Sequence, residues 1–145
     1  MTLSIARPDD FHLHLRDGDA LADLVPPVAK RFARALVMPN LTPPVTTVAA
    51  AENYRDRILA AVPEGADFTP LMTLYLTETM PAAEIEQAAG SGLIHAAKLY
   101  PAGATTNSSA GVRDVGAIDP LFAAMQKAGL VLAIHGELAD PNLDP

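Results

Sequence analysis

Two histidines and one arginine occupy alternate positions in the segment Phe11–Arg16. In a β-strand, His12, His14 and Arg16 would line one face, and the three apolar residues between them would line the other. Neutral imidazoles are common metal ligands, and a guanidinium binds carboxylates. The spacing therefore predicts a metal site with an anion clamp beside it. A polar face on an edge strand is the alternative interpretation.

The composition limits the classes of partner and ligand. The 145 residues carry a net charge of −7, and 50% of them are hydrophobic while 19% are charged. This balance predicts a globular fold and argues against disorder. An acidic chain without a Lys/Arg cluster is not expected to bind nucleic acid or an anionic membrane. Because the chain has no cysteine, imidazole and oxygen groups must hold any metal.

The sequence also bears on the compartment. The N-terminal residues lack the charged start and continuous apolar core of a signal peptide. No apolar run approaches the roughly 20 residues of a membrane span. We therefore expect a cytoplasmic protein with no membrane partner.

Short apolar segments alternate with helical periodicity along the chain. The predicted strands are 11–15, 35–38, 68–76, 94–99 and 130–134. The predicted helices are a first turn to Val25 with the helix proper from Pro26, a helix capped by Thr46 or Thr47, one from Pro81, and one from Asp119 with Ala128 inward. The segment 101–112 offers almost nothing to bury, so a mobile loop is expected there.

Strands and helices that alternate at this spacing predict right-handed βαβ units and a parallel sheet. No Gly-rich phosphate loop follows the first strand, which argues against a dinucleotide-binding fold. Polar residues cluster near the C-terminal ends of several predicted strands, where β/α barrels build their active sites. They are His12, His14, Arg16, Asn40, Lys98 and His135. The sequence therefore predicts an α/β fold, a partial TIM-like (β/α) barrel with about five of eight strands.

Lys98 lies in a segment whose neighbours predict burial. A buried ammonium is costly unless it is neutralised or paired, although lysines at strand ends often extend to the surface. An amine with a lowered pKa can instead react with carbon dioxide to give a carbamate, an oxygen ligand able to bridge two metals. His135, at the end of the last predicted strand, fits a core histidine or a ligand. His95 begins its strand at the opposite end, so we predict a structural role for it.

Three further side chains suit an anion site. Arg16 could pair with Asp17 or Asp19, but its place beyond the histidines suits a carboxylate clamp with Asn40 as a neutral donor. Thr105 and Thr106 are either solvated loop residues or hydroxyls that close over a bound anion.

Four separated motifs resemble one family. They are 7–18 (RPDDFHLHLRDG), 37–41 (VMPNL), 97–101 (AKLYP) with 104–109 (ATTNSS), and 135–137 (HGE). In this order they resemble the bacterial type of dihydroorotase, of the amidohydrolase superfamily, over essentially the whole chain. The H-x-H pair alone would match any amidohydrolase.

The resemblance implies a zinc-dependent cyclic amide hydrolase that interconverts N-carbamoyl-L-aspartate and L-dihydroorotate in pyrimidine biosynthesis. It implies two zinc ions and, as the catalytic and metal-bridging group, Lys98 carboxylated by carbon dioxide. The implied metal ligands are His12, His14, Lys98 and His135. The implied substrate-binding residues are His14, Arg16, Asn40, Thr105, Thr106 and His135. The implied partner is the small-molecule substrate, N-carbamoyl-L-aspartate or L-dihydroorotate. The full-length protein would be a homodimer.

The family continues through later strands that bring a further zinc-binding histidine and the aspartate that acts as general base. Residues 1–145 would then form the N-terminal part of an incomplete barrel, and we expect the chain alone to be inactive and to bind zinc weakly. Two alternatives are another cyclic-amide hydrolase, hydantoinase-like or allantoinase-like, and a non-catalytic truncated remnant.

Overall fold

The computed structural model describes residues 3–137, so positions 1–2 and 138–145 of the predicted domain lie outside the described residues. The strands are β1 (Asp9–Leu13), β2 (Arg34–Val37), β3 (Thr69–Tyr75), β4 (Ile94–Leu99) and β5 (Val131–Ile134). The α-helices are α1 (Leu21–Arg31), α2 (Val48–Ala60), α3 (Ala82–Gly90) and α4 (Asp119–Ala128). Short 3₁₀ turns at Gly18–Ala20 and Val115–Ile118 precede α1 and α4.

All five strands are parallel and lie in the order β1-β2-β3-β4-β5. Each strand therefore pairs with its neighbour in sequence, and the order does not reverse as it does in a doubly wound sheet. Such sequential order curls a sheet toward a barrel. The predicted partial (β/α) barrel of five strands is confirmed.

The two faces of the sheet are built from different residues. On the helix side, Val37 and Leu74 pack in a core with α1 and α2, and Ala97 packs in a second core with α3 and α4. Because side chains alternate along a strand, Thr73 and Lys98 point to the opposite, concave face. Polar groups lie on this concave face, which is the side of the sheet away from the helices. A barrel places its inward-pointing residues on the same side.

The predicted break at the proline pair of α1 is wrong. Pro26 and Pro27 lie inside one continuous helix. Proline lacks the N–H that would bond to the preceding turn, so each costs helix stability. Leu21, Val25 and Ala29 are nonetheless fully buried against the sheet. This packing holds the helix together across the two missing hydrogen bonds.

The other helices follow the predictions closely. Thr47 caps α2 by accepting a hydrogen bond from the Ala50 amide at 3.1 Å. Pro81 immediately precedes α3, and Gly129 ends α4 in the left-handed region at φ 69°. Ala128, expected to face inward, is instead exposed because it is the last residue of α4. No helix in the part of the chain that the structure describes is long and apolar enough to cross a membrane.

β1 ends earlier than predicted, at Leu13 rather than Leu15. Its pairing with β2 shifts between Asp10 and Leu13, so the regular strand stops before the second histidine. Leu15 is still buried, but Phe11, expected on the packed face, is 72% exposed. Phe11 lies on the outermost described strand, and none of the described helices covers it.

The segment 101–112 buries more than its composition predicts. Ser108 and Val112 are almost completely buried, and the Val112 amide donates to the Tyr100 carbonyl at 2.8 Å. The Ser108 hydroxyl donates to the Thr105 carbonyl at 2.6 Å and accepts from the Thr105 amide at 2.9 Å. The expectation of a loop with almost nothing to bury is therefore wrong, since internal polar contacts fold this loop onto the sheet.

Candidate active site

His12 and His14 lie side by side at the C-terminal end of β1. Their Nε2 atoms are 3.0 Å apart, as expected for alternate residues that share the concave face. Partial burial lowers the pKa of His12 below its ordinary value, and the positive charge of Lys98 adds to the effect. Burial also lowers the pKa of His14, and the charge of His12 contributes next. Both rings are therefore biased toward the neutral form, which has a free lone pair for a cation.

Asn40, just beyond β2, is hydrogen-bonded to His14. The Asn40 Oδ1 atom lies 2.9 Å from His14 Nδ1 and accepts a second bond from the Tyr100 hydroxyl at 3.1 Å. Asn40 Nδ2 donates to the Thr106 carbonyl at 3.0 Å. The amide of Asn40 thus joins the end of β1, the end of β4 and the loop 101–112.

Lys98 is on β4 and only 2% exposed. Its Nζ lies 5.2 Å from the centroid of the Tyr100 ring. Within residues 3–137, no carboxylate is within ion-pair distance of this ammonium. Burial accordingly lowers the pKa of Lys98. The predicted burial is confirmed, and the alternative of a lysine that extends to the surface is wrong.

His135 and His95 occupy opposite ends of the sheet. His135 follows β5, its amide donates to the Leu99 carbonyl at 2.9 Å, and its ring centroid is 5.9 Å from that of Tyr100. Its Nε2 lies 2.9 Å from an oxygen of Glu137. His95 is exposed near the start of β4, away from the polar cluster. The structure thus brings His135, and not His95, toward the C-terminal end of the sheet.

A cavity of about 280 Å³ opens beside the histidine pair. Its lining consists of His14, Arg16, Asn40, Thr105 and Thr106. These are five of the six side chains that the family resemblance implies for substrate binding. His135 does not line it and belongs to a separate, mostly apolar cavity of about 480 Å³ beside β5. Arg16 makes no pair with Asp17, because Asp17 binds Arg57.

Three residues of this region were given no role from the sequence, although two of them, Tyr100 and Asn107, lie within the quoted motifs. Tyr75 and Tyr100 are fully buried, and their rings stack with centroids 5.0 Å apart. Asn107 adopts a left-handed backbone at φ 55°, and its Nδ2 donates to the Asn40 carbonyl at 3.0 Å. The signal for Asn107 was its type, since Asn tolerates this conformation within a loop rich in Gly and Ser. Nothing in the pattern distinguishes the two tyrosines from ordinary core aromatics.

The donor set fits part of a zinc site. Two convergent, neutral imidazoles are typical zinc ligands, and a buried amine without a partner becomes an oxygen ligand when carboxylated. A closed zinc site needs three or four protein ligands. Within residues 3–137, no group of three or more His, Cys, Asp and Glu side chains is placed to hold a metal. His12 and His14 therefore offer two ligands, and the rest must come from modified Lys98, from His135 or from other polypeptide.

Comparison with known proteins supports a single family. No protein-family model matches the chain. The chain is 62% identical over 142 residues to a dihydroorotase of Cupriavidus necator, with 98% of this chain and 41% of that protein covered. It is 60% identical over 143 residues to a dihydroorotase of Alcanivorax borkumensis, covering 99% and 42%. The chain thus spans about two fifths of the length of the curated relatives it matches.

Solved structures give the same result. The chain matches the dihydroorotase of Campylobacter jejuni with a TM-score of 0.84 and 40% identity, over 92% of this chain and 39% of that one. For the dihydroorotase of Saccharomyces cerevisiae in complex with 5-fluoroorotic acid, the TM-score is 0.83 and the identity 36%, over 95% and 39%. An L-hydantoinase of Arthrobacter aurescens, at 20% identity and a TM-score of 0.71, shares the fold alone. Over almost all of its length, the chain is therefore recognised as similar to the N-terminal portion of bacterial dihydroorotases.

Proposed function

We propose that the chain forms the N-terminal part of a dihydroorotase active site, which interconverts N-carbamoyl-L-aspartate and L-dihydroorotate in pyrimidine biosynthesis. One observation carries this proposal. The cavity beside the histidine pair is lined by one cation, one amide and two threonines, namely Arg16, Asn40, Thr105 and Thr106. Both of these molecules carry a carboxylate, and this is the chemistry that such a lining binds.

Each lining residue has its own role in binding the substrate. Arg16 supplies a permanent cation whose planar guanidinium can bind a carboxylate through two parallel hydrogen bonds. The hydroxyls of Thr105 and Thr106, on the loop 101–112, add neutral donors above the cavity. Asn40, whose Nδ2 donates to Thr106, holds this loop at the rim. The residues thereby orient the substrate by its carboxylate.

The metal-binding part of the proposal concerns His12, His14, Lys98 and His135. His12 and His14 would hold one zinc ion, His135 a second, and carboxylated Lys98 both. In the carboxylation, the neutral Lys98 amine attacks the carbon of carbon dioxide and a C–N bond forms. One C=O π bond of carbon dioxide breaks, with its electron pair moving to oxygen, and the nitrogen releases one proton to water. Burial favours the neutral amine that this attack requires. When bound, zinc supplies Lewis acidity toward a carbonyl oxygen and a lower pKa for water.

Several further properties belong to the proposal. Residues 1–145 would be an incomplete barrel domain, and the chain alone would lack turnover because zinc ligands and a general base on later strands are missing. The complete protein would be a cytoplasmic homodimer that acts on this small molecule. The alternatives, a hydantoinase-like or allantoinase-like hydrolase and a non-catalytic remnant, lack a specific observation in their favour. An arginine and an amide on the cavity beside the histidine pair argue against the first of them, because these groups suit a carboxylate.

A chimera tests this function without any assumption about sequence beyond residue 145. The aligned 142 residues of this chain replace their counterparts in the dihydroorotase of Cupriavidus necator, to which they are 62% identical. We expect the chimera to open the ring of L-dihydroorotate with kcat/KM within about tenfold of the parent enzyme. Lys98→Ala in the chimera should reduce this value by at least about 100-fold, because a bridging ligand is lost.

The matched control is His95→Ala in the same chimera, which changes an exposed histidine away from the cavity and should leave turnover unchanged. A chimera that is folded and soluble but inactive, beside an active parent, would favour the non-catalytic remnant. Hydrolysis of hydantoin without turnover of L-dihydroorotate would favour the other cyclic-amide hydrolases.

A further inference from the structure

Four hydrogen bonds converge on Asn40, a polar residue that is only 5% exposed. Its Oδ1 lies 2.9 Å from His14 Nδ1 and 3.1 Å from the Tyr100 hydroxyl oxygen. Its Nδ2 donates to the Thr106 carbonyl at 3.0 Å, and its own carbonyl accepts from Asn107 Nδ2 at 3.0 Å. Each end of the side-chain amide thus has a partner of defined type.

These partners determine which way the amide points. The Thr106 carbonyl can only accept a hydrogen bond, so the atom that faces it must be the NH₂ group of Asn40. The oxygen of Asn40 must then face His14 and Tyr100. A flipped amide would put its NH₂ group beside His14 and leave its oxygen against the Thr106 carbonyl, where two acceptors would repel each other.

The orientation of the amide determines where His14 carries its proton. Asn40 Oδ1 can only accept, so His14 Nδ1 must donate. In a neutral imidazole one nitrogen carries the proton and the other has the lone pair. The lone pair of His14 is therefore on Nε2, the atom that lies 3.0 Å from His12 Nε2. Free histidine in water favours the opposite tautomer, with the proton on Nε2.

We propose that Asn40 is a positioning residue that holds His14 in the Nδ1–H tautomer, and that the seated loop 101–112 holds Asn40 in the required orientation. The benefit of this tautomer rests on the proposed function, because a cation bound between His12 and His14 needs the lone pair on Nε2. It also assigns the loop a second role. The loop contacts Asn40 through Thr106 and Asn107, and Asn40 contacts His14. The position of the loop thereby affects the imidazole of His14 indirectly.

Tyr100 supports the same arrangement from below. Its hydroxyl donates a hydrogen bond to the remaining lone pair of Asn40 Oδ1, and its ring stacks on Tyr75. The Tyr75 hydroxyl in turn lies 3.5 Å from the Asn107 carbonyl, on the loop. The oxygen of Asn40 thus lies between a buried aromatic pair and His14, while its NH₂ group lies under the loop.

The test is a measurement of histidine tautomers in the metal-free 145-residue chain. Two-bond ¹H–¹⁵N correlation spectra, recorded with a chelator at a pH where the rings are neutral, distinguish a protonated Nδ1 from a protonated Nε2. We expect His14 to show the Nδ1–H pattern. His95 is exposed, serves as an internal control in the same spectrum, and should show the ordinary Nε2–H pattern. An Nε2–H pattern for His14 would overturn the proposal.

Three variants separate positioning from a general structural role. Asn40→Leu removes the acceptor at similar volume, and His14 should shift toward Nε2–H. Asn40→Asp restores an acceptor and should restore Nδ1–H, although its carboxylate cannot donate to Thr106. Tyr100→Phe removes only the second partner of the oxygen and should keep Nδ1–H. A folded Asn40→Leu chain that keeps the Nδ1–H pattern would contradict the proposal.

The wild-type spectrum decides the question alone if Asn40→Leu does not fold. The readout needs neither metal nor turnover, so it is independent of the chimera experiment. An inactive chimera with an Nδ1–H His14 would reject the function and keep the positioning role. An active chimera with an Nε2–H His14 would do the reverse.

Discussion

His12 Nε2 lies 3.0 Å from His14 Nε2 at the point where the regular pairing of β1 with β2 ends. The two residues are adjacent on one face because alternate side chains of an extended chain point the same way. Asn40 contacts one ring from the neighbouring strand end, and the His12 backbone amide donates to the Asp10 carboxylate at 2.9 Å. Strand geometry and the contact with Asn40 therefore bring the two imidazoles together.

The first prediction concerns zinc binding by this pair. The chain should bind zinc weakly and with about one ion per molecule, since two imidazoles are fewer ligands than a closed site requires. His12→Ala or His14→Ala should each weaken the association by at least about tenfold, which is the smallest effect usual for the loss of a metal-site group. Calorimetric titration of each metal-free chain with zinc measures the dissociation constant and the number of ions bound.

His95→Ala is the control for this titration, because it removes an exposed imidazole away from the pair. Its zinc affinity should equal that of the wild-type chain. Equal losses from His95→Ala and His14→Ala would indicate scattered surface binding instead of a site.

A second prediction addresses the cost of burying Lys98. The residue as a whole is only 2% exposed, and within residues 3–137 its ammonium has no carboxylate partner. Methionine has similar length and no charge, so Lys98→Met should raise the free energy of unfolding by about 1 kcal/mol or more, because replacing buried charge with apolar groups often stabilises. Urea denaturation of the metal-free chain gives this difference.

Lys127→Met is the matched change at a lysine whose side chain is 82% exposed. It should alter stability by less than about 0.5 kcal/mol, as surface substitutions usually do. If Lys98→Met is instead destabilising, the ammonium of Lys98 has a compensating partner in solution.

A third prediction is a pH-dependent ion pair between Asp17 and Arg57. The guanidinium donates to both carboxylate oxygens, at 2.8 and 2.7 Å, and joins the end of β1 to α2. These hydrogen bonds lower the pKa of Asp17 below its ordinary value. A lowered folded-state pKa stabilises the fold above the ordinary value near 3.9, and this stability is lost as the pH falls through the lowered pKa.

A double-mutant cycle isolates this pair. Asp17→Asn keeps the acceptor for the Gly18 amide, and Arg57→Met keeps most of the apolar stem. The coupling energy should be about 0.2–1 kcal/mol at neutral pH, as for partly exposed pairs. It should approach zero when urea denaturation is repeated well below pH 3.9, and a coupling energy that stays constant across this range would contradict the assignment.

The sequence predicted those parts of the fold that depend on local patterns. β4 runs from Ile94 to Leu99 as expected, and the stripe Ala51, Tyr54 and Ile58 of α2 is buried. The position of polar groups at strand ends was predictable as well, because parallel strands bring their C-terminal ends to one edge of the sheet. Lys98 followed from a conflict between a charged residue and an apolar context.

The errors arise where tertiary contacts override local preference. The two prolines of α1 should interrupt a helix, but packing of Val25 and Ala29 on the sheet outweighs their cost. The loop 101–112 looked unpacked because most of its residues are small and polar, and the buried Ser108 is one of them. Its hydroxyl donates to the Thr105 carbonyl and accepts from the Thr105 amide, a pairing that composition does not reveal. The network around Asn40 joins residues up to 67 positions apart, which spacing cannot show.

Gly111 gives the last prediction, since it lies where the loop returns to the sheet. A Cβ atom at this position would be 2.3 Å from the Tyr100 carbonyl oxygen and 2.9 Å from that of Ser108, both of them backbone atoms. Neither oxygen can rotate away as a side chain would. The loop must therefore move if any larger residue replaces this glycine.

Gly111→Ala should accordingly lower the free energy of unfolding by about 1–3 kcal/mol, the usual cost of overpacking. It should also speed hydrogen exchange at the Val112 amide, which donates to the displaced Tyr100 carbonyl. Gly90→Ala is the control, because a Cβ at this end of α3 meets no atom within 4 Å. That variant should be as stable as the wild-type chain or slightly more stable, since alanine favours helix. Unchanged stability and exchange in Gly111→Ala would mean that the loop does not rest on the sheet at Tyr100 in solution.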